Sequence, residues 1–254
     1  MAGAVTLANG SLENPDGELL MPPGVSLIIP ALNEADCIGP LLAEIPQGMV
    51  QEVIVVDNGS TDGTGEAARA GGAVLVEEPR RGYGYACAAG AAAAKCEILA
   101  FMDGDGSFVP AELTNLLALI VNERADLALG SRLLKHMPSE VMPPHQLFGN
   151  RLVSGLMNRM YSLHLTDLGP FRAINRSLLV SLNMQEHTYG WPVEMMVKVA
   201  RRRMRIMETA VSYRPRMAGK SKVGGTVHGT LLTAFRIFRV LLRHALKHES
   251  VLSG

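Results

Sequence analysis

The sequence predicts an α/β fold, a three-layer sandwich in which a mostly parallel sheet lies between two layers of helices. A chain of 254 residues with 48% hydrophobic residues can bury the core of one large domain. Short apolar, β-branched segments alternate with segments of helical periodicity. The short connections between them favour right-handed βαβ units with ligands at the carboxyl ends of the strands.

The first half of the chain alternates strands and helices. The first strand is predicted over 25–29 and is expected to end at Pro30, because proline cannot continue a central ladder. Further strands are predicted over 52–56, 73–77 and 98–102, and helices over 34–45, 61–70 and 84–95. Polar residues that follow these strands should therefore meet at one edge of the sheet.

The second half contains more helix. Helices are predicted over 110–123, 146–162 and 177–203, and strands over 127–131 and 206–213. We expect a main domain over 24–224 and an amphipathic basic helix within 225–254. The apolar side of this helix carries Leu231, Phe235, Phe238, Leu242 and Ala245.

Residues 1–23 mix Gly, Pro, Asn and acidic residues and lack the pattern of a secretory signal, which predicts a mobile leader. The longest uncharged stretches are shorter than the roughly 18 apolar residues of a membrane span, so we expect a cytoplasmic protein without transmembrane segments. Cys37, Cys87 and Cys96 lack the spacing of a disulfide framework or a zinc site and are expected to be ordinary core residues.

The formal net charge of zero conceals two halves of opposite charge. Residues 1–126 carry 5 basic and 18 acidic residues, a net charge of −13, whereas residues 127–254 carry 19 and 6, a net charge of +13. An acidic half suits a metal ion, and a basic half suits phosphates, nucleic acid or an anionic membrane. The basic final helix is either interfacial or docked on the sheet with a solvated basic face.

Polar segments follow three of the predicted strands, at 30–34, 57–63 and 103–107. Asp103 and Asp105 lie two residues apart, and carboxylate oxygens are the ligands that Mg²⁺ or Mn²⁺ prefers. The alternative is a surface turn shaped by Asp and Gly. Asp57 either accepts hydrogen bonds from a base or ribose or belongs only to a turn before a helix. Arg81, in a Gly-containing segment, either meets a pyrophosphate or belongs to a simple turn.

Several ordered motifs resemble family 2 glycosyltransferases. They are Pro30-Ala31-Leu32-Asn33-Glu34, the segment 55–64, Asp103-Gly104-Asp105 and Gly130-Ser131-Arg132. The segment 216–225 is similar to the Arg-x-x-Gly-x-Ser-Lys-x-Gly-Gly segment of dolichol-phosphate (polyprenyl-phosphate) mannose synthases. The resemblance extends over nearly all of residues 24–235.

The resemblance implies a GT-A fold and an inverting sugar transfer. It assigns Pro30, Glu34 and Asp57 to the nucleotide, and Asp103 and Asp105, with Gly104 between them, to the metal and diphosphate. It assigns Arg132, Arg216 and Lys222 to sugar or phosphate. This chain has Leu32 where relatives usually have Tyr, which changes one nucleotide contact, and Ser107 where they commonly have Gln.

The basic half contains segments similar to the acceptor side of the family. Arg151 and Ser154, with Arg132, are candidates for the acceptor phosphate, although Arg151 is equally explained as a solvated helix arginine. Asp167 is a candidate general base or a helix cap, and Glu194 is a candidate base or a surface carboxylate. A lipid phosphate, with a second pKa near about 6, needs no base, whereas a hydroxyl acceptor does.

The sequence therefore predicts an inverting glycosyltransferase that uses Mg²⁺ or Mn²⁺. Its donor would be of the GDP-mannose or UDP-glucose type and its acceptor a polyprenyl or dolichyl phosphate, at the inner face of the membrane. The alternatives are a soluble or glycolipid hydroxyl acceptor and a nucleic-acid-binding protein. The 5% aromatic content and the lack of stacking motifs argue against the latter. The sequence is compatible with a homo-oligomer and does not decide the oligomeric state.

Overall fold

The computed structural model of the protein describes residues 6–8, 11–13, 19–20, 24–135, 141–219, 239–241 and 243. The segment 1–23, expected to be a mobile leader, contains three short strands in these residues: β1 (Thr6–Ala8), β2 (Ser11–Glu13) and β3 (Leu19–Leu20). They form a small antiparallel sheet.

A seven-stranded sheet forms the centre of the molecule, in the order β10-β8-β9-β7-β4-β5-β6. Only β9 runs antiparallel to its neighbours, between β7 and β8, so the predicted mostly parallel sheet is confirmed. The strands are β4 (Val25–Ala31), β5 (Glu52–Asp57), β6 (Val74–Glu77), β7 (Ile98–Phe101), β8 (Leu127–Ser131), β9 (Arg172–Asn175) and β10 (Ile206–Ala210).

Helices cover both faces of this sheet. They are α1 (Ala35–Ala43), α2 (Thr64–Ala70), α3 (Tyr83–Ala93), α4 (Leu113–Val121) after a 3₁₀ turn (Pro110–Glu112), α5 (Pro144–Tyr161), α6 (Arg176–Leu182) and α7 (Trp191–Arg201). Side chains alternate across β4: Ile28 joins the core beneath α3 and α7, whereas Leu27 and Ile29 join the core beneath α1 and α4. This confirms the three-layer α/β architecture.

The first strand of the main sheet does not end at Pro30, and that expectation was wrong. β4 continues to Ala31, and Pro30 pairs with Val56 of β5. The carbonyl of Ile28 accepts a hydrogen bond from Met102, so the backbone of Ile28 and Pro30 faces β7. β7 ends opposite Ile28. An N–H at position 30 would therefore have no acceptor in β7, and proline, which lacks that N–H, loses no hydrogen bond there.

Three other boundaries differ from the sequence expectations. The predicted helix 177–203 is two helices, because Asn183 adopts a left-handed conformation after α6 and residues 183–190 form a loop. The helix expected over 61–70 begins at Thr64, and the late strand ends at Ala210. Strand β9 was also missed, because its four residues, Arg172–Asn175, begin and end with polar side chains and give no apolar run.

The described part of the final helix packs on the main domain. Arg239, Val240, Leu241 and Arg243 are helical, and Val240 and Leu241 are buried in the core beneath α3 and α7. This packing favours the docked alternative for these residues. The predicted apolar side of the helix lies outside the described residues. Within the described segments, we find no helix whose length and apolar content would allow it to cross a bilayer.

The cysteines carry no disulfide. Cys37 and Cys87 are buried and Cys96 is partly buried, all as free thiols. Their burial fits the expected role as small core residues.

Candidate active site

The polar segments that follow β4, β5 and β7 meet at the carboxyl edge of the sheet, around a cavity of about 570 Å³. The residues that were singled out from the sequence and line this cavity are Pro30, Leu32, Glu34, Arg81, Asp103, Gly104, Asp105, Arg132 and Arg216. The predicted convergence of these segments is therefore observed.

Hydrogen bonds join the segment after β4 to the segment after β5. Asn33 accepts a bond from the Thr61 N–H through Oδ1 (2.8 Å) and donates its own N–H to Ser60 Oγ (2.8 Å). The Glu34 N–H donates to Thr64 Oγ1 (2.9 Å), which fixes the start of α1 against the start of α2. These bonds hold one wall of the cavity in place.

Asp57 lies at the end of β5 but does not line the cavity. Its Oδ1 accepts a hydrogen bond from the Ser60 N–H (2.8 Å), three residues on, which stabilises the turn before α2. This bond fits the interpretation of Asp57 as part of a turn before a helix. Its contact with a nucleotide stays a prediction.

Asn58 holds the arginine-containing segment that closes one side of the cavity. Its side chain donates to the carbonyl oxygens of Glu78 (2.9 Å) and Arg80 (2.7 Å) and accepts from the Gly82 N–H (2.8 Å). Arg81 donates to the Gly59 carbonyl (2.8 Å). Sequence analysis missed Asn58, although its place directly after a strand-terminal aspartate was a usable signal.

The loop 183–190 lies across the start of α3. The His187 carbonyl accepts from the Gly84 N–H (3.0 Å). A Cβ on Gly84 would lie 2.4 Å from the Glu186 carbonyl oxygen, so only glycine allows this approach. The loop thereby brings Thr188 and Tyr189 to the cavity wall.

Asp103 and Asp105 form the acidic floor of the cavity. Tyr83 donates its hydroxyl to Asp103 Oδ1 (3.3 Å). Burial, reinforced by the negative charge of Asp105, raises the pKa of Asp103 to about 6. A site with two closely placed carboxylates favours a cation between or beside them.

Arg216 supplies one such positive charge. Its guanidinium donates to Asp105 Oδ2 (2.9 Å) and to both carboxylate oxygens of Glu34 (2.6 and 2.8 Å). The Met217 N–H donates to the Asp105 carbonyl (3.1 Å), which lays this segment along the acidic floor. Arg216 therefore lies beside the carboxylates, and its implied contact with sugar or phosphate stays a prediction.

The donor set fits a hard divalent cation held jointly with a ligand. Asp103 and Asp105 offer carboxylate oxygens, and the described residues contain no cluster of three or more His, Cys, Asp or Glu side chains that could hold a metal alone. Mg²⁺ is commonly held by one or two carboxylates together with substrate phosphates. The pair therefore suits a cation that also binds a diphosphate.

Asp167 is fully buried and forms a bidentate ion pair with Arg132, whose Nε and Nη2 donate over 2.7 Å each. Burial alone would raise the pKa of Asp167, but the charge and hydrogen bonds of Arg132 lower it overall. Arg132 also lies over the Tyr213 ring, 5.0 Å from its centroid, and lines the cavity. The geometry makes Asp167 a group that positions Arg132.

The remaining acceptor-side candidates lie apart from this cavity. Glu194 is buried and accepts from the backbone N–H groups of Gln185 and Glu186, and it lines a second cavity. Arg151 is exposed on α5, and buried Ser154 donates its hydroxyl to the Asn150 carbonyl (2.9 Å).

Lys222 lies outside the described residues. Tyr83, Tyr189 and Tyr213 also line the cavity and were missed. Their sequence context does not separate them from core aromatics.

Comparison with known proteins identifies the family of this chain. Residues 26–182 match the family Glycosyl transferase family 2. An uncharacterized glycosyltransferase of Mycobacterium tuberculosis is 36% identical over 85% of this chain and 97% of its own length. A dolichyl-phosphate hexose transferase of Haloferax volcanii is 34% identical (78% of this chain, 86% of the relative). An undecaprenyl-phosphate mannosyltransferase of Micrococcus luteus is 30% identical (81% and 89%).

Solved structures show the same fold. Glucosyl-3-phosphoglycerate synthase of Mycobacterium tuberculosis, in complex with Mn²⁺, UDP and glucosyl-3-phosphoglycerate, superposes with a TM-score of 0.71 at 24% identity. The match covers 87% of this chain and 80% of that one. The chain therefore belongs to glycosyl transferase family 2 and is a glycosyltransferase with a GT-A fold.

Proposed function

We propose that the protein transfers a hexose from a nucleotide-diphosphate sugar to a polyprenyl phosphate, with Mg²⁺ or Mn²⁺ as its cofactor. The observation that carries this proposal is the composition of the cavity wall. The carboxylates of the acidic floor and Glu34 share this wall with the guanidinium groups of Arg81, Arg132 and Arg216. This arrangement suits a diphosphate leaving group and an acceptor that is already anionic.

The donor side would use the two carboxylates of the floor and the arginines around them. Asp103 and Asp105 would hold the cation, which when bound neutralises the charge of the departing diphosphate. Arg81, Arg132 and Arg216 would donate to phosphate oxygens, because guanidinium groups match phosphate geometry. Pro30, Leu32, Glu34 and Asp57 would contact the nucleoside, and Lys222 would meet sugar or phosphate. The complexes of the structural relative with UDP and Mn²⁺ or Mg²⁺ support this assignment.

The acceptor side distinguishes a lipid phosphate from a hydroxyl. A hydroxyl must lose a proton to a base within hydrogen-bond reach, whereas a phosphate monoester, with a second pKa near about 6, is already largely anionic. The two candidate bases are committed elsewhere: Asp167 to Arg132, and Glu194 to Lys198 and backbone N–H groups. A phosphate oxygen that attacks the anomeric carbon directly would invert its configuration.

Features of α5 support a lipid-linked acceptor at a membrane surface. Phe148 and Leu152 lie one helical turn apart, and 70% and 56% of their surfaces are exposed. Arg151 and Ser154 lie on the same helix and are candidates for the acceptor phosphate. The names of the Haloferax and Micrococcus relatives indicate polyprenyl-phosphate acceptors for those proteins. We infer a peripheral position at the inner membrane face.

The test is transfer by the purified full chain from GDP-mannose or UDP-glucose, with Mn²⁺ or Mg²⁺, to undecaprenyl phosphate and, in parallel, to undecaprenol. We expect product only with the phosphate acceptor and loss of metal-dependent transfer in Asp105→Asn. Asp36→Asn, which changes an exposed carboxylate on α1, is the matched control. Transfer to undecaprenol at a comparable rate would overturn the acceptor assignment, and normal metal-dependent transfer by Asp105→Asn would overturn the metal assignment.

A further inference from the structure

We propose that a second cavity, beside α7, binds a phosphate-bearing anion at a site separate from the donor cavity. This cavity has a volume of about 770 Å³. Among the described residues, its wall contains four basic side chains and one carboxylate: Lys198, Arg201, Arg202, Arg243 and Glu194. The wall is therefore positively charged, and an anion that enters it relieves the repulsion among the cations.

The one carboxylate of the wall already has its partners. Glu194 is 2% exposed and forms a 2.7 Å ion pair with Lys198, one helical turn away. It also accepts from the backbone N–H groups of Gln185 (3.0 Å) and Glu186 (2.7 Å). Glu194 is therefore already balanced by Lys198, and Arg202 and Arg243 contribute further positive charge to the wall.

The arginines come from two separate elements. Arg201 and Arg202 lie at the end of α7, and Arg202 donates to the carbonyl of Ser181 (2.6 Å), a neutral acceptor that leaves its charge uncompensated. Exposed Arg243 comes from the final helix, which is held in place by buried Val240 and Leu241. Arginines that converge from two elements match the several oxygens of a phosphate group.

The arginines of this cavity lie away from the donor cavity. The start of α7 touches the donor cavity through Pro192, whereas Arg201 and Arg202 lie at its other end. A helix of 11 residues spans roughly 16 Å. The ligand would be either the headgroup phosphate of an anionic lipid or a soluble phosphate compound, and both present the same chemistry to the wall.

The test compares wild type with Arg202→Gln/Arg243→Gln. Binding of inorganic phosphate is measured by calorimetry at constant ionic strength. Sedimentation is measured with phosphatidylcholine vesicles with and without phosphatidylglycerol. Arg124→Gln, which removes an exposed arginine elsewhere, is the matched control, and near-ultraviolet circular dichroism confirms that the variants are folded.

We expect the double variant to bind phosphate or phosphatidylglycerol vesicles about tenfold more weakly than wild type, as the loss of charge-assisted hydrogen bonds implies. Arg124→Gln should match wild type. A loss confined to phosphate identifies a soluble ligand, and a loss confined to the vesicles identifies a lipid headgroup. Equal binding by wild type and the double variant in both measurements would overturn the proposal. Neither measurement depends on sugar transfer, so its outcome is independent of the function proposed above.

Discussion

Replacement of Asp167 by Asn separates a positioning role from a role as general base. The carboxylate is fully buried and accepts four hydrogen bonds: from Arg132 Nε and Nη2 (2.7 Å each), from the Arg132 N–H (2.9 Å) and from the Leu168 N–H (2.7 Å). Asp167→Asn removes the negative charge but keeps the shape. The Arg132 side chain, only 14% exposed, then loses its counterion.

Removal of one partner from a buried ion pair costs about 3–5 kcal/mol. Because Asn keeps one oxygen that still accepts from Arg132, we expect the lower end of that range, about 3 kcal/mol. In a domain of this size each kcal/mol lowers Tm by roughly 2–4 °C, so Tm should fall by about 6–12 °C. Since the pKa of Asp167 is lowered in the folded state, its stabilisation is present above the unfolded pKa of about 3.9 and is lost as pH falls through the folded value.

Urea unfolding, followed by the fluorescence of buried Trp191, measures this loss. Asp126→Asn is the control, because Asp126 pairs with the half-exposed Arg205 and should contribute less than about 1 kcal/mol. Arg132→Met/Asp167→Leu should recover much of the stability, since an apolar pair replaces the ions, while it loses affinity for the donor. If Asp167→Asn proved as stable as Asp126→Asn, the predicted contribution of the buried ion pair to the free energy of unfolding would be refuted. If Asp167→Asn instead abolished the acidic limb of the pH profile, the fall in transfer rate as the base becomes protonated, the role of general base would be favoured.

Three further changes test other parts of the structure. Gly84→Ala places a Cβ 2.4 Å from the Glu186 carbonyl oxygen and should cost about 1–3 kcal/mol in thermal unfolding. Gly39→Ala, with nothing within 4 Å, should be neutral or stabilising, and an equal loss in both variants would contradict the close approach. Hydrogen bonds from Arg80 lower the pKa of Glu78 to about 2, so its stabilisation is present above its ordinary pKa and lost as pH falls toward 2. The urea midpoints of wild type and Glu78→Gln should therefore differ at pH 7 and converge near pH 2, and a constant difference would exclude this linkage. Phe148→Ser/Leu152→Ser should weaken sedimentation with lipid vesicles without lowering Tm, because both side chains are exposed. Val180→Ser, at a 71% exposed site on α6, should leave sedimentation with vesicles unchanged.

The sequence predicted the parts of the fold that depend on local pattern. Strands β5, β7 and β8 are continuous apolar runs between turn residues, so their periodicity and length suffice. Two of the errors depend on pairing between distant segments. Pro30 stays in β4 because β7 ends beside it. β9 forms because its short segment fills the space between β7 and β8.

The candidate site shows the same division between local and distant information. Strand-end position predicted that Asp103, Asp105 and Glu34 would share a cavity, because the carboxyl ends of parallel strands meet at one edge. Asp167 and Glu194 follow no predicted strand, and their sequence context did not reveal their partners. In the structure neither lines this cavity, because Asp167 pairs with Arg132 and Glu194 with Lys198 and backbone N–H groups.

Residues from the acidic half and from the basic half of the chain meet at the cavity. The acidic half supplies Glu34 and Asp105, and the basic half supplies Arg216, which contacts both although it lies 182 and 111 residues away in sequence. A diphosphate needs both kinds of group, since a cation bridges it to carboxylates while guanidinium groups bind its free oxygens directly. The two charges are separated along the chain because the strand-end loops of the first half carry the acidic groups and a later, basic segment closes the cavity over them.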